Sequence, residues 1–175
     1  MAATLLKVVR RNAVIYIPAL LLGVALLWLY RAADEAALRV LLWPYAKATE
    51  LFYHMDLRYM AGAGYCAAGG VFAIGKACMG INFAVMMFFM LIFAFTHRFE
   101  GYRKIIWLPL SLLISVVVGV AVSCIRIVGS IPFAAIDKFA TLHTALGAAL
   151  YLAALAGAYL ATKRILGGLP NEKAD

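Results

Sequence analysis

The sequence predicts an all-α membrane protein with about four transmembrane helices and with its N- and C-termini in the cytoplasm. Three observations support this prediction. The chain is 66% hydrophobic and 14% charged, with a mean hydropathy of +0.95, whereas soluble domains are about half apolar and a quarter charged. Four stretches carry no charged residue, and the segments between them differ in Lys and Arg content. A length of 175 residues fits a single integral membrane domain, 1–175.

The four uncharged stretches are 12–30, 77–96, 105–125 and 139–162, with 19, 20, 21 and 24 residues. About 20 residues suffice for a helix to cross the hydrocarbon core. The first stretch follows a basic segment, as the core of a secretory signal does, but it is longer than the roughly 7 to 15 residues of such a core. We therefore expect a retained anchor and three further spans.

The charges between the spans predict the topology. One side collects nine Lys and Arg against three acidic residues, a net +6: Lys7, Arg10, Arg11, Arg98, Arg103, Lys104, Lys163, Arg164 and Lys173, against Glu100, Glu172 and Asp175. The other side is +2. Because cytoplasmic segments collect Lys and Arg, both termini should be cytoplasmic in a bacterial inner membrane. The excess of positive charge is then a topology signal and an attraction to anionic membrane lipid, and no nucleic acid is expected as a partner.

The outer segment 31–76 should begin with a helix lying along the membrane interface. Apolar side chains recur at helical spacing: Leu38, Leu41, Leu42 and Tyr45. Asp34 and Glu35 fall in the first turn, where the helix dipole favours anions. Further on, residues 58–75 carry five glycines among aromatic and branched residues. Glycines weaken a helix, and the residues around Gly69 and Gly70 suit a small β-hairpin.

Three polar residues stand out within the apolar spans. In the predicted topology, Cys78 lies at the outer start of the second span, Arg126 at the outer end of the third and His143 near the outer start of the fourth. Each has a structural explanation, since a membrane cysteine often only packs, an arginine reaches headgroups and an interfacial histidine makes hydrogen bonds. Because all three are predicted to lie at one depth, a shared functional site is favoured over three separate structural roles.

A cysteine, a histidine and an arginine together suit nucleophilic catalysis. A thiol becomes a thiolate more readily at a helix N-terminus or beside a cation. Cys78 has the first by position and could have the second from Lys76, His143 or Arg126. Gly80 permits close backbone approach, and the N–H groups that follow could hold an oxyanion. His143 can take and return a proton, whereas Arg126 stays charged and can only stabilise negative charge.

The remaining cysteines and histidines offer less. Cys124, two residues before Arg126, is interpreted as a packing residue. Cys66 could bridge to Cys78 on the oxidising side, but three cysteines in no pattern do not argue for a structural disulfide. The three histidines are scattered along the chain, so no metal site and no cofactor are expected.

Three segments resemble the exosortase and archaeosortase family. Ala77-Cys78-Met79-Gly80-Ile81-Asn82-Phe83 resembles the family's A-C-x-G-I-N segment around the nucleophile, Cys124-Ile125-Arg126-Ile127 its arginine segment, and Leu142-His143-Thr144-Ala145-Leu146-Gly147 its L-H-x-x-x-G segment. Their order and spacing agree, and the short chain is most similar to the exosortase K branch. Ser123 stands where many members have Asn, so a supporting contact differs.

The resemblance implies a membrane cysteine protease and transpeptidase. Its partner would be an exported protein whose C-terminal sorting tail has a Pro-Glu-Pro-like motif, a transmembrane helix and a basic cluster. Cys78 would attack the peptide carbonyl to give a thioester, with Arg126 and His143 completing the triad. The residues expected to contact the substrate or support the site are Tyr59, Tyr65, Phe72, Lys76, Gly80, Asn82 and Ser123.

A second function class remains open from the residues alone. A small-molecule carrier subunit or an assembly factor could use the same outward polar cluster to bind a ligand without chemistry. The two classes differ in how far they depend on the thiol. A carrier should keep much of its activity as Cys78→Ser, whereas an enzyme that uses the thiolate should lose nearly all of it.

Overall fold

The computed structural model describes residues 2–134 and 139–168. Its helices are α1 (Ala2–Ala32), α2 (Glu35–Tyr53), α3 (Ile81–Phe95), α4 (Arg103–Ser130) and α5 (Phe139–Gly167). Among these residues, four helical segments are long and apolar enough to cross a membrane, 11–32, 76–98, 103–133 and 139–167, as many as the sequence predicted. Glu172, Lys173 and Asp175 of the predicted cytoplasmic side lie outside the described residues, as do Asp137 and Lys138, which count toward the +2 of the other side.

The apolar core is centred on α3. Met87, Phe88, Leu91 and Ile92 of this helix are fully buried, and α3 contacts α1, α4 and α5. Small residues let the neighbours approach closely. A Cβ on Gly119 of α4 would lie 3.0 Å from the Cβ of Ala84. Close packing through small residues is typical of membrane helices, where lipid supplies no hydrophobic force between them.

The helix α2 begins at a capping aspartate. The side chain of Asp34 accepts a hydrogen bond from the N–H of Ala37 at 2.8 Å and satisfies a donor of the first turn. The predicted apolar face is only partly correct, because Leu41 is 45% exposed while Leu42 and Tyr45 are buried. The buried stripe continues instead through Ala46 and Thr49. It packs against the sheet and α4, which lie on one side of α2.

A three-stranded antiparallel sheet follows α2, with strands β1 (Leu57–Met60), β2 (Gly64–Ala67) and β3 (Ala73–Ile74) in the order β1-β2-β3. The β2–β3 pair confirms the hairpin predicted around Gly69 and Gly70, and β1 adds a strand that the sequence did not predict. Gly64 is required here because its φ is +93° and a Cβ would lie 2.2 Å from the carbonyl oxygen of Ile74.

The second span differs from its prediction at its N-terminus. Residues Lys76–Met79 form a 3-10 turn, here called the Cys78 turn, and Gly80 follows it in the left-handed conformation with φ +65°. The α-helix proper starts at Ile81. Hydropathy is continuous through this stretch, so the prediction of a helix from residue 77 missed the break that Gly80 makes.

Candidate active site

Cys78 lies before α3 rather than in its first turn. Its backbone N–H donates to the carbonyl of Gly75 at 2.9 Å, and its side chain is half-buried. Because the effect of a helix dipole fades beyond the first turn, the expected dipole contribution to a thiolate is smaller than the sequence suggested. What the turn provides instead is a rigid setting for the thiol.

Every carbonyl of the Cys78 turn accepts a hydrogen bond from a side chain of another helix. The donors are Tyr30 of α1 to Lys76 at 2.6 Å, Arg126 of α4 to Ala77 at 3.4 Å and to Cys78 at 3.3 Å, and Tyr45 of α2 to Met79 at 2.9 Å. Burial raises the pKa of Tyr45 to about 12, so its hydroxyl remains a donor at any physiological pH. Three helices thus hold four successive peptide groups.

Gly80 lies against a layer of polar side chains. A Cβ at this position would be 2.2 Å from Ser123 Oγ and 2.7 Å from Tyr151 Oη. The fully buried Ser123 hydroxyl is 3.5 Å from the carbonyl of Met79 and 3.3 Å from Tyr151 Oη. Gly80 and Ser123 were predicted to support the site. Both adjoin the Cys78 turn, Gly80 as the next residue and Ser123 through its contact with the Met79 carbonyl.

Arg126 is a buried cation, 9% exposed. Among the described residues no carboxylate pairs with it, and its Nε has no hydrogen-bond partner. The guanidinium lies over the Tyr151 ring at 5.2 Å, and Gly147 leaves room for its stem, since a Cβ there would be 2.8 Å from Arg126 Cδ. A buried charge without a counter-ion is costly, so its field is available to negative charge nearby.

His143 and Cys78 line the same cavity. This cavity has a volume of about 150 Å³, and its other walls are residues 71–74 and the adjoining ends of α4 and α5. The Nδ1 atom of His143 is buried and has no partner within the part of the chain that the structure describes. Cys78, His143 and strand β3 thus border one cavity, while Arg126 donates to the backbone carbonyl of Cys78.

Not every residue expected to contact a substrate lies at this cavity. Phe72 lines it. Lys76 instead donates to the carbonyl of Arg31 at 3.0 Å, and Asn82 is exposed on α3. Tyr65 is buried against α2, where its hydroxyl donates to the Arg39 carbonyl at 3.2 Å.

Tyr59 lies beside Tyr65 with ring centroids 5.2 Å apart. The rings form an edge-to-face pair on the sheet, and Tyr59 is half-buried. Neither tyrosine is among the described residues that line the cavity. The contact that joins them serves the packing of the sheet on α2, so removal of Tyr65 should cost stability as well as any contact with a substrate.

The structure brings in residues that the sequence analysis did not assign to the site. Tyr30 and Tyr45 belong to distant segments and carry no local signal. Tyr151 and Gly147 could have been found, because 143, 147 and 151 follow the i, i+4, i+8 spacing that places side chains on one face of a helix. Phe83 of α3 stacks on the Tyr151 ring with centroids 4.4 Å apart.

The other two cysteines lie outside the cavity lining. Cys66 is on β2 and its thiol is 3.8 Å from the carbonyl of Gly64. Cys124 is half-buried and packs in the cluster between α2, the sheet and α4. All three cysteines are free thiols in the structure. Cys66 and Cys124 therefore provide matched controls for Cys78.

A larger open groove of about 650 Å³ lies on the opposite half of α5, lined by residues that include Leu160, Lys163 and Arg164. No cysteine or histidine is among its described lining residues, so we place the candidate site at the smaller cavity.

Comparison with known proteins finds no matching family model, no matching curated protein and no matching solved structure.

Proposed function

We propose that this chain is a membrane-embedded cysteine protease and transpeptidase of the exosortase type, which cleaves the C-terminal sorting tail of exported proteins. The observation that carries the proposal is the cavity that both Cys78 and His143 line, together with the hydrogen bond from Arg126 to the carbonyl of Cys78. Residues 48 positions apart in the chain thus meet at one turn. They are the three residues on which the resemblance to exosortases rests.

The proposed reaction proceeds in two acyl transfers. The Cys78 thiol gives its proton to His143 and Sγ attacks the carbonyl carbon of the scissile peptide. The C–N bond of the resulting tetrahedral intermediate breaks, the leaving amine takes the proton from His143, and a thioester remains on Cys78. An acceptor amine or water then attacks the thioester and releases the thiol.

Arg126 acts mainly through the Cys78 turn in this proposal. Its Nη2 donates to the carbonyls of Ala77 and Cys78, which fixes the backbone of the nucleophile. Its positive charge is paired with no carboxylate among the described residues, and it would stabilise the oxyanion that forms near Cys78. Arg126 is therefore both a positioning residue and the source of the stabilising field.

The same proposal places the site at the outer face of a bacterial inner membrane. Cys78 precedes α3, Arg126 is near the end of α4 and His143 is near the start of α5, so all three lie at one end of the bundle. The opposite end carries Arg11, which pairs with Glu100, and Lys104, which donates to Asn12 at 2.7 Å. A basic end facing the cytoplasm leaves both termini there.

Co-expression with candidate substrates tests the proposal. Proteins that end in a Pro-Glu-Pro-like motif, an apolar helix and a basic cluster are expected to be shortened by the wild-type chain. Cys78→Ala should abolish the shortening, while the matched variants Cys66→Ala and Cys124→Ala retain it. Shortening that persists in Cys78→Ala overturns the proposal.

The variant Cys78→Ser separates this function from a carrier or an assembly factor. An oxygen nucleophile without thiolate character should leave little processing, because the hydroxyl is a much weaker nucleophile at neutral pH. A protein that only binds a ligand would keep most of its activity with this nearly isosteric change. Full activity of Cys78→Ser therefore contradicts the enzymatic proposal.

A further inference from the structure

The cavity runs along the edge of a β-strand rather than against one face. Residues 71, 72, 73 and 74 line it in succession. Successive side chains of a strand point to opposite faces, so a cavity on one face would meet every second residue. Contact with Phe72, Ala73 and Ile74 together indicates that the backbone of β3 borders the space.

This edge of β3 carries hydrogen-bonding groups directed away from the sheet. The β2–β3 register pairs Tyr65 with Ile74 and Cys66 with Ala73, and the N–H of Ala67 donates to the carbonyl of Phe72 at 3.2 Å. Antiparallel pairs alternate between bonded and non-bonded, so Cys66 and Ala73 form a non-bonded pair. The N–H and C=O of Ala73 therefore point outward, and β3 ends the sheet on that side.

The cavity along this edge leads to the thiol. Its apolar wall includes Ile127 and Ile131 of the segment around the end of α4, and Cys78 follows Ala73 by five residues. Ligand cavities that enclose a whole small molecule measure about 300 to 1,000 Å³. A volume of about 150 Å³ is smaller, and suits a short part of an extended chain.

We propose that the segment to be cleaved binds as an added strand on the outer edge of β3, with the N–H and C=O of Ala73 as its main-chain partners. This inference rests on the proposed peptidase function. Main-chain pairing supplies affinity that tolerates many sequences, and the side chains that alternate toward the apolar wall supply selectivity. The strand brings its carbonyl to Cys78 in an extended conformation, in which a peptide bond is accessible to attack.

Removal of the Ala73 N–H donor tests whether the substrate pairs with β3. Ala73→Pro deletes the N–H, and an edge strand tolerates proline where the N–H faces outward. Ala73→Val keeps the N–H and serves as the control. With co-expressed substrates, the Pro variant should process about tenfold more slowly, since one hydrogen bond is worth roughly that factor, and the Val variant should stay near wild type. Equal rates for both variants overturn the inference.

Changes in the substrate test it without altering the protein. Synthetic peptides that copy the tail of a shortened protein are N-methylated at one position at a time and given to the wild-type enzyme. Strand addition predicts that methylation slows cleavage chiefly at the one position whose N–H pairs with the outward C=O of Ala73. If methylation slows cleavage equally at every position, strand addition is contradicted, whereas the proposed peptidase function is not. Absence of any Cys78-dependent shortening overturns both.

Discussion

Around α3 the helices meet through apolar side chains and glycines, whereas around the Cys78 turn they meet through hydrogen bonds to backbone carbonyls. In the first region Phe88 and Leu91 are fully buried and Gly23 faces the ring of Phe89. In the second, Tyr30 and Tyr45 each donate to one peptide group. Apolar packing holds helices together, while directional bonds fix the position of a single turn.

The largest expected effect separates the glycines of the two regions. Gly80→Ala forces a side chain into a backbone with φ +65° and into Ser123 and Tyr151. We expect a loss of about 3 kcal/mol or more and no processing, because backbone strain and a clash coincide. Thermal unfolding in detergent and the processing assay measure both quantities.

Gly23→Ala is the matched change in the apolar region. Its Cβ would lie 2.3 Å from Cζ of Phe89, the far end of a side chain that can rotate away. We expect a smaller loss of about 1 to 3 kcal/mol and retained processing by the folded fraction. An equal loss of stability and activity in both variants would remove the distinction between the regions.

A second contrast lies within α5. Gly147→Ala places a Cβ 2.8 Å from Cδ of Arg126, whereas a Cβ on Gly157 meets nothing within 4 Å. Gly147→Ala should cost about 1 to 3 kcal/mol and slow processing by displacing the guanidinium. Gly157→Ala should be neutral or stabilising by up to about 1 kcal/mol, since alanine favours the helix. Unaltered processing by Gly147→Ala would show that Arg126 need not be held in place.

Two tyrosines of α2 distinguish a bond to the turn from a bond elsewhere. Tyr45 donates to Met79 at 2.9 Å and Tyr53 donates to Val128 at 2.7 Å. Replacing either with Phe should cost about 1 to 2 kcal/mol, because Val128 loses its side-chain donor and Met79 keeps only the longer contact with Ser123. Only Tyr45→Phe should also lower the rate of processing, measured at equal amounts of folded protein. Equal rates for the two variants would mean that the bond to Met79 does not position Cys78.

The smallest effect is a pH dependence at the end of α2. Glu50 accepts hydrogen bonds from Lys47 and from the N–H of Leu57, and the bond from Lys47 lowers the pKa of this carboxyl below its ordinary 4.5. The ionised Glu50 carboxylate thus contributes fully to stability above its ordinary pKa. This contribution is lost as the pH falls through the lowered pKa of the folded state. The free energies of unfolding of Glu50→Gln and of the wild type should become equal at acidic pH. A constant difference between them at all pH values would contradict this.

The sequence predicted the spans because a membrane core excludes charge over a fixed length. It placed Cys78, Arg126 and His143 at one end for the same reason. It missed the start of α3, since hydropathy runs on through Ala77 and Met79 while only Gly80 marks the break. The exposure of Leu41 was also missed, because two faces of α2 are apolar and only packing decides which is buried.

The tyrosine bonds could not have been predicted from the sequence. Tyr30 and Lys76 lie 46 positions apart, and Tyr45 and Met79 lie 34 apart. No local pattern connects them, because the bonds exist only once three helices have packed. Nor does periodicity predict β1, a strand of four residues that depends on its pairing with β2.

The attachment of the Cys78 turn to α1, α2 and α4 makes it a mechanical junction. Each helix holds a different carbonyl of the same short segment. If one helix slides along its axis relative to the others, it must either break its bond or pull the thiol with it. The position of Cys78 therefore depends on the relative registration of three helices, and any change in their mutual tilt would move its sulfur atom.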